Sequence, residues 1–267
     1  MNFDYIAHVR KSDGQPQSLQ VHLTETAEIA KLLAAKLDLD QAGELLGLMH
    51  DFGKYSQDFQ EYIKSVTGIN PDADDYVLPN GKKIDHSSAG AQWVYRELRK
   101  FGKSEHGDKI KDNGIGELCG QILGLCIASH HGEGLIDCLD GEGNPKWIER
   151  FNKTDELTHL IECEQNADEA VQQKARELAG ENLIRSLLKA VKPILSDPVS
   201  NDKIKEFYLG CLTRFLFSCL IDADRINSSD FEREAQKKVR RLTEKPDWQS
   251  AIDKLEAKLA GFENRYP

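Results

Sequence analysis

The stretch Met49-His50-Asp51-Phe52-Gly53-Lys54 closes an apolar run with a histidine and an aspartate side by side, and a lysine follows three residues after the acid. Leu45, Leu48, Met49 and Phe52 recur at helical spacing, so the run reads as a helix over about 41–52 that Gly53 ends. Taken alone, such a doublet is more often a helix cap than a pair of ligands. Its weight comes from its company, which is His22 upstream and His86, His130-His131 and Asp222 downstream. Imidazoles and carboxylates gathered at helix ends are metal ligands.

Upstream, Thr26, Ile29, Ala30, Leu33 and Leu37 define a helix over about 22–37, and His22, four residues before Thr26, falls on its inward face. The plainer reading of His22 is a histidine bonding a free backbone group at the helix start. Downstream, Ser56 caps a helix over about 56–65. Residues 68–85 read as a long loop, with a hairpin signal at Asn80-Gly81. Asp85-His86-Ser87-Ser88 opens a helix to about Phe101, whose Arg96, Arg99, Lys100 and Lys103 read as a solvated basic face, with Arg96, Arg99 and Lys100 beside Lys82-Lys83 of the loop as the alternative, a local track for a DNA backbone. After a polar break at 102–114, residues 115–128 are apolar almost all round, which predicts a buried central helix. It ends in Ser129-His130-His131-Gly132, where coordination would satisfy both imidazoles at once.

A loop at 133–144 precedes amphipathic helices over 145–164 and 167–192, the second ending at Pro193. The last buried helix is expected over about 203–226, with Tyr208, Cys211, Leu212, Phe215 and Cys219 in register. Asp222, three residues beyond Cys219, continues that row and is expensive there unless paired or coordinated. Asp224 and Arg225 read as a surface pair. A final helix over about 248–259 is expected to pack across the bundle. The fold class is all-α, a helical bundle with a two-metal site at converging helix ends. A single domain over 1–267 is expected, with the long loop at 68–85 and the C-terminal helix within 240–267.

A net charge of −10 argues against a protein that coats nucleic acid by bulk attraction, but not against a nuclease whose positive charge is local or metal-borne. No signal peptide is apparent at the start and no apolar run reaches membrane-spanning length, so a cytoplasmic location is expected. The six cysteines form no Cys-x-x-Cys pair and read as buried free thiols.

Together the candidate ligands could hold two ions, with Asp51 bridging because a carboxylate has two donor oxygens. Two metals about 3.5–4 Å apart clamp the attacking and leaving oxygens of a phosphoester. Imidazole-rich ligation suits manganese, iron, cobalt or nickel better than magnesium, which prefers oxygen. Lys54 is placed to stabilise charge on a phosphate oxygen, with a surface lysine as the plainer reading.

His22, His50-Asp51 and Asp222, in this order and on helices, resemble the HD phosphohydrolase superfamily. Asp85-His86-Ser87 and Ser129-His130-His131-Gly132 narrow the resemblance to the HD nuclease domain of the CRISPR-associated helicase-nuclease of type I interference systems. Tyr5-Ile6-Ala7-His8 and the Phe59-Gln60 that follows Lys54 are also similar to that domain, over about residues 1–230. The resemblance implies His22, His50, Asp51 and Asp222 at one metal and Asp51, His86, His130 and His131 at the other, with Lys54 beside the phosphate. It implies cleavage of single-stranded DNA, beside an ATP-driven helicase recruited by a surveillance complex. No Gly-x-x-x-x-Gly-Lys-Ser/Thr loop occurs here, so unwinding is not expected of this chain. The competing readings are an HD hydrolase of small nucleotides, an HD-type di-iron oxygenase and a non-catalytic HD binding module.

Overall fold

A computed structural model describes residues 5–67, 84–106, 109–112, 114–131, 135, 142–144, 146–237 and 247–263. A short antiparallel hairpin, β1 (Ile6–Val9) and β2 (Pro16–Ser18), leads into α1 (Leu19–Ala34) and then α2 (Asp40–Met49). These two helices pack closely because small residues line the seam. A Cβ on Gly43 would lie 2.4 Å from the Ala30 carbonyl oxygen, and one on Gly47 2.5 Å from Ala27 Cα. Every residue from Ala42 to Met49 is buried, so α2 is the innermost helix and carries the histidine-aspartate doublet out of the core.

The chain leaves α2 through a 3-10 turn, Phe52–Tyr55, into α3 (Gln57–Thr67). Gln60 of α3 ties that turn to β1: its Oε1 accepts from Ile6 N at 2.8 Å, and its Nε2 donates to Ile6 O at 3.1 Å and Lys54 O at 2.7 Å. Then follow α4 (Ser88–Leu98), a hairpin of β3 (Lys103–His106) and β4 (Lys109–Asp112), and α5 (Ile115–Ser129), which packs along α4. The expected long loop lies, apart from Ile84 and Asp85, outside the described residues. So does most of the loop expected at 133–144.

Four short helices come next, α6 (Lys146–Phe151), α7 (Asp155–Thr158), α8 (Leu160–Asn166) and α9 (Glu169–Leu178). The single helix expected over 145–164 is therefore broken. His159 adopts a left-handed conformation (φ 55°) between α7 and α8, and Asp155 Oδ1 receives Ile161 N at 2.9 Å across the break. Tyr55 donates to Asp168 Oδ2 at 2.7 Å and Asn166 donates to Tyr55 O at 3.1 Å, which fixes the 3-10 turn from its other side.

The bundle is completed by α10 (Glu181–Leu195) and α11 (Asp202–Glu232), whose N-cap Asn201 accepts from Ile204 N at 3.0 Å. Pro193 lies inside α10 rather than at its end, in the last turn where only one backbone bond is forgone. Leu212, Leu216 and Leu220 of α11 join Leu23, Leu46, Met49, Leu123, Ile127 and Leu187 in one continuous core. A short α12 (Glu234–Lys237) follows, and then α13 (Trp248–Glu263). The expectation that this last helix packs across the bundle is not met. Trp248, Ile252, Leu255 and Leu259 are all exposed. The architecture is all-α, with the two hairpins as its only described strands. No helix among the described residues is long and apolar enough to cross a membrane. Cys119, Cys126, Cys163 and Cys219 are buried free thiols, as expected, whereas Cys211 is exposed.

Candidate metal centre

Two helix ends and one helix start converge on Asp51. His50 and Asp51 leave the C-terminus of α2, His130 and His131 leave that of α5, and His86 precedes α4. Gly53 brings the last of these in: its N–H donates to His86 O at 3.0 Å, so the two segments meet backbone to backbone.

The two carboxylate oxygens of Asp51 face separate donor sets. Around Oδ1 stand His130 Nε2 at 3.2 Å, His131 Nε2 at 3.4 Å and His86 Nε2 at 3.5 Å. Around Oδ2 stand His22 Nε2 and His50 Nε2, each at 3.3 Å, and Lys54 Nζ at 2.7 Å. Asp224 Oδ1 closes the second set, 3.5 Å from His22 Nε2 and 3.7 Å from His50 Nε2. Asp51 with His86, His130 and His131, and Asp51 with His22 and His50, each offer ligand atoms that all lie within 4.8 Å of one another, and Asp224 groups in the same way with His22.

Asp224, not Asp222, is therefore the acid that α11 brings to the site, and Asp222 points to solvent. The inward stripe of this helix runs Leu212, Leu216, Leu220, Ala223, Asn227. Of the row expected from the sequence, Leu212 and Cys219 are buried on this side, Phe215 lies at the margin, and Tyr208 and Cys211 are exposed. Stepping three residues on from Cys219 rotates about 60° away from that stripe, whereas four residues on from Leu220 stays within about 40° of it. His8 also escaped notice as a site residue. Its ring packs edge-on to His22 at 4.6 Å and joins His22 and Asp224 in a third donor group. A four-residue strand offers no periodic signal for it.

The imidazoles are oriented from behind. His50 Nδ1 donates to Gly47 O at 2.8 Å, His130 Nδ1 to Ile127 O at 2.7 Å, and His86 Nδ1 to Ile84 O at 3.1 Å. His22 Nδ1 lies 2.8 Å from Asn227 Oδ1. A proton on Nδ1 leaves the Nε2 lone pair free to ligate.

Charge follows the same division. Burial would lower the pKa of His50, but Asp51 and Asp224 overcome it and raise it to about 10, so the two carboxylates hold on its Nε2 a proton that a bound cation would replace. Burial lowers His86 to about 3 against the pull of Asp51, and lowers His130 and His8 as well. Asp51 is held well below the usual carboxylate range. Burial opposes that shift, but Lys54 and His50 outweigh it. Asp224 is also depressed, its desolvation outweighed by His50. His86 and His130 are thus neutral at neutral pH, the form that binds metal.

This neutrality tests whether the residues fit a cation. His130 Nε2 and Asp51 Oδ1, 3.2 Å apart, are then both acceptors with no proton to share. His86 Nε2, likewise without a proton, lies 3.5 Å from the same oxygen. Acceptors crowded together in this way are satisfied by a cation among them, and the residues fit one.

The Oδ1 side opens outward. His131 is half exposed, and a cleft of about 470 Å³ lined by Phe59, Tyr62, Arg150 and Lys153 adjoins His86 and His131. Lys153 pairs with Asp85, whose carboxyl is held down to about 2, against its burial, by Lys153 and Ser88. The Oδ2 side is closed, with His22 and His50 fully buried.

A helical bundle with a histidine-aspartate doublet at the end of its central helix, ringed by further histidines and an acid, defines an HD-type metal-binding domain. A model of the family described as Cas3, HD domain matches residues 8–197, and the chain belongs to that family. Its members are CRISPR-associated HD domains of nuclease type, which places the chain among metal-dependent hydrolases. No curated protein matched the chain. The matched span holds every clustered histidine and Asp51, whereas Asp224 lies beyond it on α11.

Proposed function

We propose that this chain is a two-metal nuclease that hydrolyses phosphodiester bonds of single-stranded DNA in CRISPR interference. The observation that carries this reading is the division of donors between the two oxygens of Asp51. His22, His50, Asp224 and Asp51 would hold one ion, and His86, His130, His131 and Asp51 the other. Two divalent cations held there would supply an activated water and offset the charge that builds on the phosphoryl oxygens. Imidazole-rich donor sets favour manganese, iron, cobalt or nickel over magnesium.

The chain's own residues do the rest. Asp51 fixes the spacing of the two donor sets. Lys54 is buried, donates to Ala7 O at 3.2 Å and is held at 2.7 Å from Asp51, and its fixed ammonium would stabilise charge on a non-bridging phosphate oxygen brought beside Asp51. The cleft beside His86 and His131 supplies aromatic faces for bases and cations for the backbone, the combination that suits a flexible single strand. A stacked duplex cannot bend into a site recessed among helix ends. Unwinding falls to a helicase module, in the same protein or a partner, recruited by a surveillance complex. Residues 1–267 are read as one HD domain, because α11 beyond the family match supplies Asp224.

The test is a side-by-side assay of a labelled single strand, the matching blunt duplex and a panel of nucleoside triphosphates and cyclic nucleotides, with Mn2+ and without ATP. Cleavage of the single strand with little action on the duplex is expected. Rapid turnover of one nucleotide with an untouched single strand would make the chain a small-nucleotide hydrolase. Turnover that needs oxygen would make it an oxygenase.

A further inference from the structure

Helix α11 meets His22 at both ring nitrogens. Asp224 Oδ1 lies 3.5 Å from Nε2, and one turn later Asn227 Oδ1 lies 2.8 Å from Nδ1. The orientation of the Asn227 amide is fixed by its other partners. Its oxygen also accepts from Gln17 Nε2 at 2.9 Å, and its nitrogen donates to Glu25 Oε2 at 2.7 Å. Glu25 is in turn held by Lys237 at 2.8 Å. Gln17, His22 and Asn227 are all buried, so the bonds that join these three are shielded from solvent.

An amide oxygen 2.8 Å from Nδ1 requires the proton on that nitrogen. The lone pair of His22 is therefore confined to Nε2, facing Asp51 and Asp224. His50, His86 and His130 obtain the same constraint from backbone carbonyls, which no substitution removes. His22 obtains it from a side chain.

We infer that Asn227 is a positioning residue for the ion on the Oδ2 side of Asp51. It fixes the tautomer and ring plane of His22, and so sets the affinity of that ion and not of the other. This rests on the two-ion reading above. It extends the site to the Gln17–Asn227–Glu25 network that links β2, α11 and α1.

Calorimetric titration of the metal-free full chain with Mn2+ alone tests it. Asn227→Leu keeps the branched shape and removes the acceptor, and one of two affinities should fall about 10–100-fold while the other stays within about twofold. Asn227→Asp combined with Glu25→Gln restores an acceptor for His22 and Gln17 and a donor for the new carboxylate. Because a carboxylate accepts more strongly than an amide, the affected affinity should then exceed wild type by about threefold or more. This second variant decides the matter where Asn227→Leu fails to fold. A purely structural role weakens both ions together. Equal weakening of both ions, or affinities unchanged from wild type in either variant, overturns the role of Asn227 and leaves the two-ion reading standing. A wild-type chain that binds no Mn2+ overturns both.

Discussion

Replacing Gly53 with alanine adds a single methyl group at the point where the doublet's turn touches His86. The added Cβ would lie 2.4 Å from His86 O, 2.6 Å from its Cα and 2.7 Å from its carbonyl carbon. Ordinary contact begins at 3.4 Å, so the two segments must separate by about 1 Å. Both sides of the clash are backbone, and no side chain can swing away. The Gly53 N–H to His86 O bond, 3.0 Å long, stretches with the same movement. His86 Nε2 now lies 3.5 Å from Asp51 Oδ1, and an ångström of drift takes it out of the donor set. Overpacking of this kind costs about 1–3 kcal/mol. A 1 Å displacement of a group at the reacting centre costs about 100-fold in rate. Gly53→Ala should therefore lower the melting temperature by several degrees and cut Mn2+-dependent cleavage of single-stranded DNA about 100-fold. Gly180→Ala is the control, since its Cβ meets only Glu177 O at 3.4 Å and should change stability by less than about 0.5 kcal/mol. Wild-type melting and wild-type cleavage in Gly53→Ala would refute the placement of His86 by this contact.

Asp224→Asn should reduce Mn2+-dependent cleavage by at least about 100-fold, whereas Asp222→Asn should stay within about twofold of wild type, as read in the same assay. Glu44 on α2 pairs with Lys31 of α1 at 2.8 Å and Lys174 of α9 at 2.9 Å. Burial alone would raise its carboxyl, but the two lysines hold it below the ordinary value. Its contribution is thus fully present above pH about 4.5 and is lost as pH falls through the depressed folded value. Thermal melts across pH should show Glu44→Gln less stable by about 1 kcal/mol at pH 7, with the two curves converging in acid. A constant gap at all pH values would contradict that assignment. After chelation, manganese, cobalt or nickel should restore turnover better than magnesium, and full revival by magnesium alone would count against the imidazole-rich donor sets.

Much of the site could be read from residue order because its ligands are local events. His50-Asp51 and His130-His131 each end an apolar helix, where polar residues stand out against the pattern, and His86 stands beside a helix start. The acid on α11 was misplaced by two residues because this helix has 31 residues and its first half is largely exposed. Few apolar residues there are buried, and Tyr208 and Cys211 draw the row toward the Asp222 side of the true stripe before it reaches the site. Asn227 was invisible for a different reason. Its role comes from partners 205 and 210 residues distant, His22 and Gln17, which no local spacing reveals. The break at His159 depends on a single backbone conformation in a polar stretch, where periodicity carries no information.

The central claim is that Asp51 divides two ions between its oxygens, and a crystal of the full chain soaked in Mn2+ and read by anomalous scattering tests it most directly. Two peaks are expected, one among His22, His50, Asp224 and Asp51 Oδ2 and the other among His86, His130, His131 and Asp51 Oδ1. A single peak, or peaks that Asp51 does not touch, would contradict it.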